Sequence, residues 1–106
     1  MTTEYLLVLV TTANKQEAEK IANHLLNDKL IACANIFGPV TSLFQWSGNV
    51  NHAEEYLMVM KSKKDLFEKL TEAVKTIHSY EVPEILAFQV TDGSRTYLDW
   101  LQSCLI

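Results

Sequence analysis

Residues 5–10, YLLVLV, are apolar at every position. A run this short, bounded by polar residues, reads as a strand rather than a helix. Successive side chains of a strand point to opposite faces. In an antiparallel sheet with one wet face, apolar and polar residues should therefore alternate. They do not alternate here, so both faces of this strand need cover. Helices of the same chain can supply one cover. The other calls for a surface the chain does not provide.

The elements that follow are readable in order. Asn14 can cap a first helix, with Glu17 three positions on in capping-box spacing. Ala18, Ile21, Ala22, Leu25 and Leu26 fall on one helical face, and the pattern weakens at Asn27 and Asp28. Residues 31–36 form a second strand, interrupted at Gly38-Pro39 because proline cannot donate to a ladder, and resumed over 40–46. Ser47, Gly48 and Asn49 read as a hairpin turn, and 50–61 as a long third strand. A second helix is expected to open at Ser62, with Asp65 in capping-box spacing and a stripe of Leu66, Leu70, Ala73, Val74 and Ile77. Pro83 precedes a fourth strand over 84–90. Asp92-Gly93-Ser94 turns into a last helix with Tyr97, Leu98, Leu101, Cys104 and Leu105 on one face. The order β-α-β-β-α-β plus a C-terminal helix predicts the α+β class. It matches a ferredoxin-like sandwich, an antiparallel four-stranded sheet with helices on one face, in one domain over 1–106.

The hairpin is long for such a domain. Twelve residues at roughly 3.3 Å each reach about 40 Å, against a radius of gyration of about 13 Å expected at this size. Its tip protrudes and carries Leu43, Phe44 and Trp46. Long edges with large apolar residues are hazardous unless paired. With the doubly apolar first strand, they predict a homo-oligomer of closed cyclic symmetry.

Charge and motif content narrow the function. Lys and Arg number 9 and Asp and Glu 13, a net charge of −4. That balance argues against nucleic acid and anionic membranes as partners. No segment approaches the roughly 20 apolar residues of a membrane span. The first four residues lack positive charge and the run 5–10 is too short for a signal core, so a cytoplasmic location is expected. Cys33 and Cys104 do not make a disulfide framework and are expected as buried thiols. No GxSxG, CxxC, HxH or HExxH arrangement occurs, so a non-enzyme is expected and a preformed zinc site is not.

Several segments in the same order resemble the divalent-cation tolerance (CutA) family: 30–36 LIACANI, 42–48 SLFQWSG, Glu54-Glu55 with Lys61, 78–85 HSYEVPEI and 97–101 YLDWL. The resemblance runs from Leu7 to Leu101, and HxYExPE is its most specific part. It implies a PII-like homotrimer tied to tolerance of divalent cations, with Cu(II) or another divalent ion as ligand and no obligatory cofactor. The alternative it leaves is a regulatory or scaffold trimer that holds a small ligand or protein in an intersubunit cleft. Copper-binding members carry two consecutive histidines and a first-strand cysteine. Here Ile77 and Val10 stand at two of those positions, and Ser79 replaces a common proline.

His78 is the metal candidate, because neutral imidazole is a good copper ligand and a loop position could expose it. A structural or cleft hydrogen-bonding histidine is its other reading. Trp46, Lys61, Tyr80, Glu81 and Glu84 are expected to meet in a cleft between subunits, with Glu55 on the same strand face as Lys61. That cleft could hold an anion or a metal complex, or be a network of intersubunit bonds. His24 is expected at the surface, and His52 exposed or at a subunit contact. Met58 and Met60, sharing one strand face, are expected to pack the core. Tyr97 and Trp100 are expected to lock the last helix to its neighbour.

Overall fold

The computed structural model describes residues 3–106. Met1 and Thr2, part of the N-terminal stretch read for a signal core, lie outside the described residues. The elements are β1 (Tyr5–Thr12), α1 (Lys15–Asn27), β2 (Cys33–Trp46), β3 (Asn49–Lys63), α2 (Phe67–Ile77), β4 (Ile85–Gln89) and α3 (Arg95–Cys104). The strands form one sheet in the order β2-β3-β1-β4, and each adjacent pair is antiparallel. This is the ferredoxin-like α+β arrangement expected from the order of elements.

β1 lies inside the sheet, between β3 and β4, and is apolar on both faces. Its even residues Leu6, Val8 and Val10 are buried, with Met58 and Met60 of β3, in one core with Ala18, Ile21 and Leu25 of α1 and Leu70 and Val74 of α2. The two methionines fill the core, as expected. Its odd residues face the other way. Leu7 pairs with Lys61 and Phe88, and Leu9 with Val59 and Leu86. Phe37 and Leu57 share that outer face. Leu86 and Phe88 remain 52% and 54% exposed. No helix among the described residues covers this face.

The start of the second helix departs from expectation. Ser62 stays in β3, which runs on to Lys63. Its buried hydroxyl donates to the Leu30 carbonyl at 2.6 Å and is not free to cap a helix. A short 3₁₀ turn, Lys64–Leu66, follows, and α2 begins at Phe67 with no side-chain cap. β4 is also shorter than expected, so Glu84 lies in the loop before it. α1 follows the sequence closely: Asn14 Oδ1 accepts the Glu17 N–H at 2.8 Å.

Ser47 and Gly48 take positive φ of 52° and 77°, the left-handed pair that matches hairpin twist. The two strands they join are 14 and 15 residues long and account for the long dimension of 45 × 26 × 22 Å. β2 does not stop at Gly38-Pro39. Phe37 pairs with Leu57 and Val40 with Glu55, so two residues bulge against one. The bulge changes parity. Beyond it the even residues Val40, Ser42, Phe44 and Trp46 share the face of Glu55. Gly38 sits under the Tyr56 ring, where a Cβ would overlap it.

α3 buries Leu101 and, beyond its end, Leu105, while Tyr97 and Trp100 are exposed and stack on each other at 5.4 Å. In the single chain neither ring is buried against another element. The chain end is held instead by the Ile106 N–H, which donates to the Lys29 carbonyl. Cys33 and Cys104 are half-buried rather than sealed in the core. Cys33 misses burial because it lies on the uncovered outer face.

Candidate functional site: an acidic cleft backed by a buried histidine

His78 follows the last residue of α2, its N–H still bonded to the Val74 carbonyl. That cap turns its ring inward. The side chain is 0% exposed, not the reachable ring expected of a loop residue. Nδ1 accepts the Tyr80 N–H at 3.0 Å, so it carries no proton. Nε2 therefore carries it and donates to the Thr11 carbonyl at 2.7 Å. Glu17 closes the network. Its Oε2 accepts the Ser79 N–H at 2.6 Å and lies 3.7 Å from His78 Nδ1. Its Oε1 accepts the Ala13 N–H at 3.2 Å.

Burial alone would raise the Glu17 carboxyl pKa. The bonds from Ser79 and Ala13 outweigh burial and hold it below its ordinary 4.5. One buried imidazole and one carboxylate thus tie the end of β1, the start of α1 and the loop after α2 together.

The copper set implied by the family resemblance does not fit here. Both His78 nitrogens are engaged, Val10 is sealed in the core, and Ile77 has no donor atom. A metal at His78 would first have to break a buried hydrogen bond. Among the described residues no three His, Cys, Asp or Glu side chains converge to hold an ion.

The pinned loop forms one wall of a cleft on the outer side of the sheet, of about 520 Å³. Thr11, Phe44, Trp46, Ala53, Glu55, Tyr80, Glu81, Val82 and Glu84 line it. Four of the five residues expected in a cleft, Trp46, Tyr80, Glu81 and Glu84, are together. Lys61 is not. Its ammonium donates to Asn35 Oδ1 at 2.9 Å and to Cys33 Sγ at 3.6 Å, farther along β3. Sequence reasoning missed Thr11, Phe44 and Val82, and also Glu17, which spacing marks only as a capping residue.

Tyr80 donates its hydroxyl to Glu55 Oε2 at 2.7 Å. Burial first, then this bond and the negative charges of Glu55 and Glu17, push its pKa up to about 12. His24 is exposed beside Asp28, and His52 is exposed on the hairpin.

The sequence profile of the CutA1 divalent ion tolerance protein family matches residues 6–104. The chain belongs to that family. It is 42% identical over 96 residues to the "Divalent-cation tolerance protein CutA" of Thermus thermophilus, covering 91% of this chain and 93% of that protein. It is 40% identical over 98 residues to "Protein CutA, chloroplastic" of Arabidopsis thaliana, covering 92% of this chain but only 54% of that protein. The chain thus spans about half the length of that plant relative.

Among solved structures, the Thermus thermophilus CutA1 superposes with a TM-score of 0.94 at 40% identity, covering 95% and 98% of the two chains. CutA1 of Oryza sativa superposes with a TM-score of 0.96 at 35% identity, covering 99% and 96%. A structure from Archaeoglobus fulgidus, with a TM-score of 0.92 at 37% identity over 94% and 97%, is described as periplasmic. Relatives thus carry chloroplastic and periplasmic labels. Among the described residues of this CutA chain, no helix is long and apolar enough to cross a membrane.

Proposed function

We propose that this CutA chain works as a homotrimeric, non-enzymatic binding protein in divalent-cation tolerance, and that its ligand enters the acidic cleft rather than the surroundings of His78. The observation that carries the reading is the outer face of the sheet. Leu7, Leu9 and Val59, flanked by the exposed Leu86 and Phe88, form an apolar surface uncovered by the chain itself. Water-exposed apolar area of this kind is stabilised by self-association at about 25 cal/mol per Å² removed. The cleft lies at the hairpin end of the same face, so a neighbouring subunit would complete its rim.

The geometry favours a PII-like regulatory trimer over a copper carrier. In the cleft Cu(II) or another divalent cation finds carboxylate oxygens, at Glu55, Glu81 and Glu84, but no imidazole, which copper prefers. The chain acts as a single domain, and in the cytoplasm on this reading.

Native mass spectrometry with and without limiting Cu(II) tests it. The expected spectrum is a trimer whose copper uptake is the same in the wild type and in those His78→Ala molecules that remain trimeric. A monomer refutes the assembly. One copper per subunit, lost only with His78→Ala, restores the metal role to the histidine.

A further inference from the structure

Among the described residues of the chain, the cleft holds a carboxylate without a counter-charge. Glu55 is only 9% exposed on β3. One of its oxygens accepts the Tyr80 hydroxyl, and the other, unpaired among the described residues, is open to the cleft. No Lys, Arg or His ammonium or ring nitrogen pairs with it among the described residues; the ion pairs found are elsewhere. A carboxylate held in a partly enclosed cleft attracts a cation more strongly than one in open water. Glu81 and Glu84 add two more carboxylates at the rim, and no Lys or Arg lines the cleft.

The walls decide what kind of cation fits. Phe44, Trp46 and Tyr80 line the same space as Glu55. Aromatic faces attract cations, and most strongly those that shed water easily, such as ammonium groups on an apolar body. A bare metal ion wants several oxygen or nitrogen ligands at close range, and no three candidate ligand side chains converge among the described residues. A volume of about 520 Å³ is also far larger than an ion needs. It lies in the range of small-molecule sites.

We propose that the cleft binds a small organic cation, an alkylammonium compound whose charged head sits between Glu55 and the aromatic walls. The proposal rests on the cleft being the ligand site and is independent of copper. Glu55 supplies the charge, and Trp46 and Phe44 supply ring faces. Tyr80 holds Glu55 in place through its hydroxyl, and Glu81 and Glu84 draw the cation in from solvent.

Isothermal titration of the full-length protein with choline and with 1,4-diaminobutane tests it, with MgCl2 at matched ionic strength as competitor. The expected result is saturable binding of one organic cation per chain, little displaced by Mg²⁺. Glu55→Gln keeps an oxygen to accept from Tyr80, so the fold survives, and affinity should fall at least tenfold. Trp46→Leu keeps apolar bulk without a π face and should weaken binding by a similar factor. Absence of saturable binding, binding indifferent to both substitutions, or equal competition by Mg²⁺ overturns the proposal, since each means no more than attraction to an acidic surface. Cu(II) quenching of Trp46 fluorescence in a Trp100→Phe background separates the two readings. Quenching without organic-cation binding leaves the cleft as ligand site and sinks only this inference. Neither signal sinks both.

Discussion

His78→Ala separates a structural histidine from a metal ligand. The ring is 0% exposed and makes two hydrogen bonds, to the Thr11 carbonyl at 2.7 Å and from the Tyr80 N–H at 3.0 Å. Alanine leaves both backbone groups without a partner in a dry site, at about 1–3 kcal/mol. It also leaves a cavity where the ring packed, at roughly another 1–2 kcal/mol. Together they predict a loss of about 3 kcal/mol, more than a hundredfold in the folded-to-unfolded ratio. The assay is urea unfolding at pH 7 in the presence of a chelator, with the slope held common to both proteins. The chelator matters because a histidine kept only for a metal would cost little once the metal is gone. A loss below about 1 kcal/mol would refute the reasoning, because it would mean that the buried bonds are dispensable.

Three further outcomes follow from the same geometry. Glu17 is held below its ordinary 4.5 in the folded protein, so its contribution to stability is present above that value and is lost as pH falls through the lower folded value. Urea stability of Glu17→Gln should therefore be lower at pH 7 and should decline less than the wild type on acidification; parallel pH profiles would contradict this. Tyr80 should ionise near pH 12 in an ultraviolet titration, with Glu55→Gln bringing it closer to the ordinary 10.0; an unchanged titration would remove Glu55 as a cause. Gly38→Ala pushes a methyl into the Tyr56 ring and should cost about 2 kcal/mol in unfolding experiments, whereas a neutral result would show that the ring moves aside freely.

The elements were legible because their periods differ. Both parities of residues 5–10 are apolar, and that alone marked β1 as a strand needing cover on both faces. Positions within the cleft were harder. Lys61 and Glu55 share a face by parity, but six residues at about 3.3 Å each put them roughly 20 Å apart, so parity named the face and not the neighbourhood. Phe44 and Trp46 reach the cleft only because the bulge at Gly38-Pro39 shifts the register of β2, and an interruption in a sequence does not say which way parity will turn. Ser62 looked like a cap because its spacing to Asp65 was right. Its hydroxyl was instead claimed by the Leu30 carbonyl, 32 residues away. Glu17 announced its local role at the start of α1, while its grip on Ser79, 62 residues on, leaves no local pattern.

The same grip alters how the loop exchanges hydrogen with solvent. The amides of Ser79 and Tyr80 lie outside any helix or strand, where protons ordinarily exchange fast. Here one is held by the Glu17 carboxylate at 2.6 Å and the other by a sealed imidazole at 3.0 Å. Each can open only when a side chain from another part of the fold withdraws. Their deuterium uptake should therefore be slow, closer to that of β1 than to that of an irregular segment. The loop that faces the cleft is then a rigid wall on the timescale of ligand exchange, and a cleft built on it would meet its ligand already shaped.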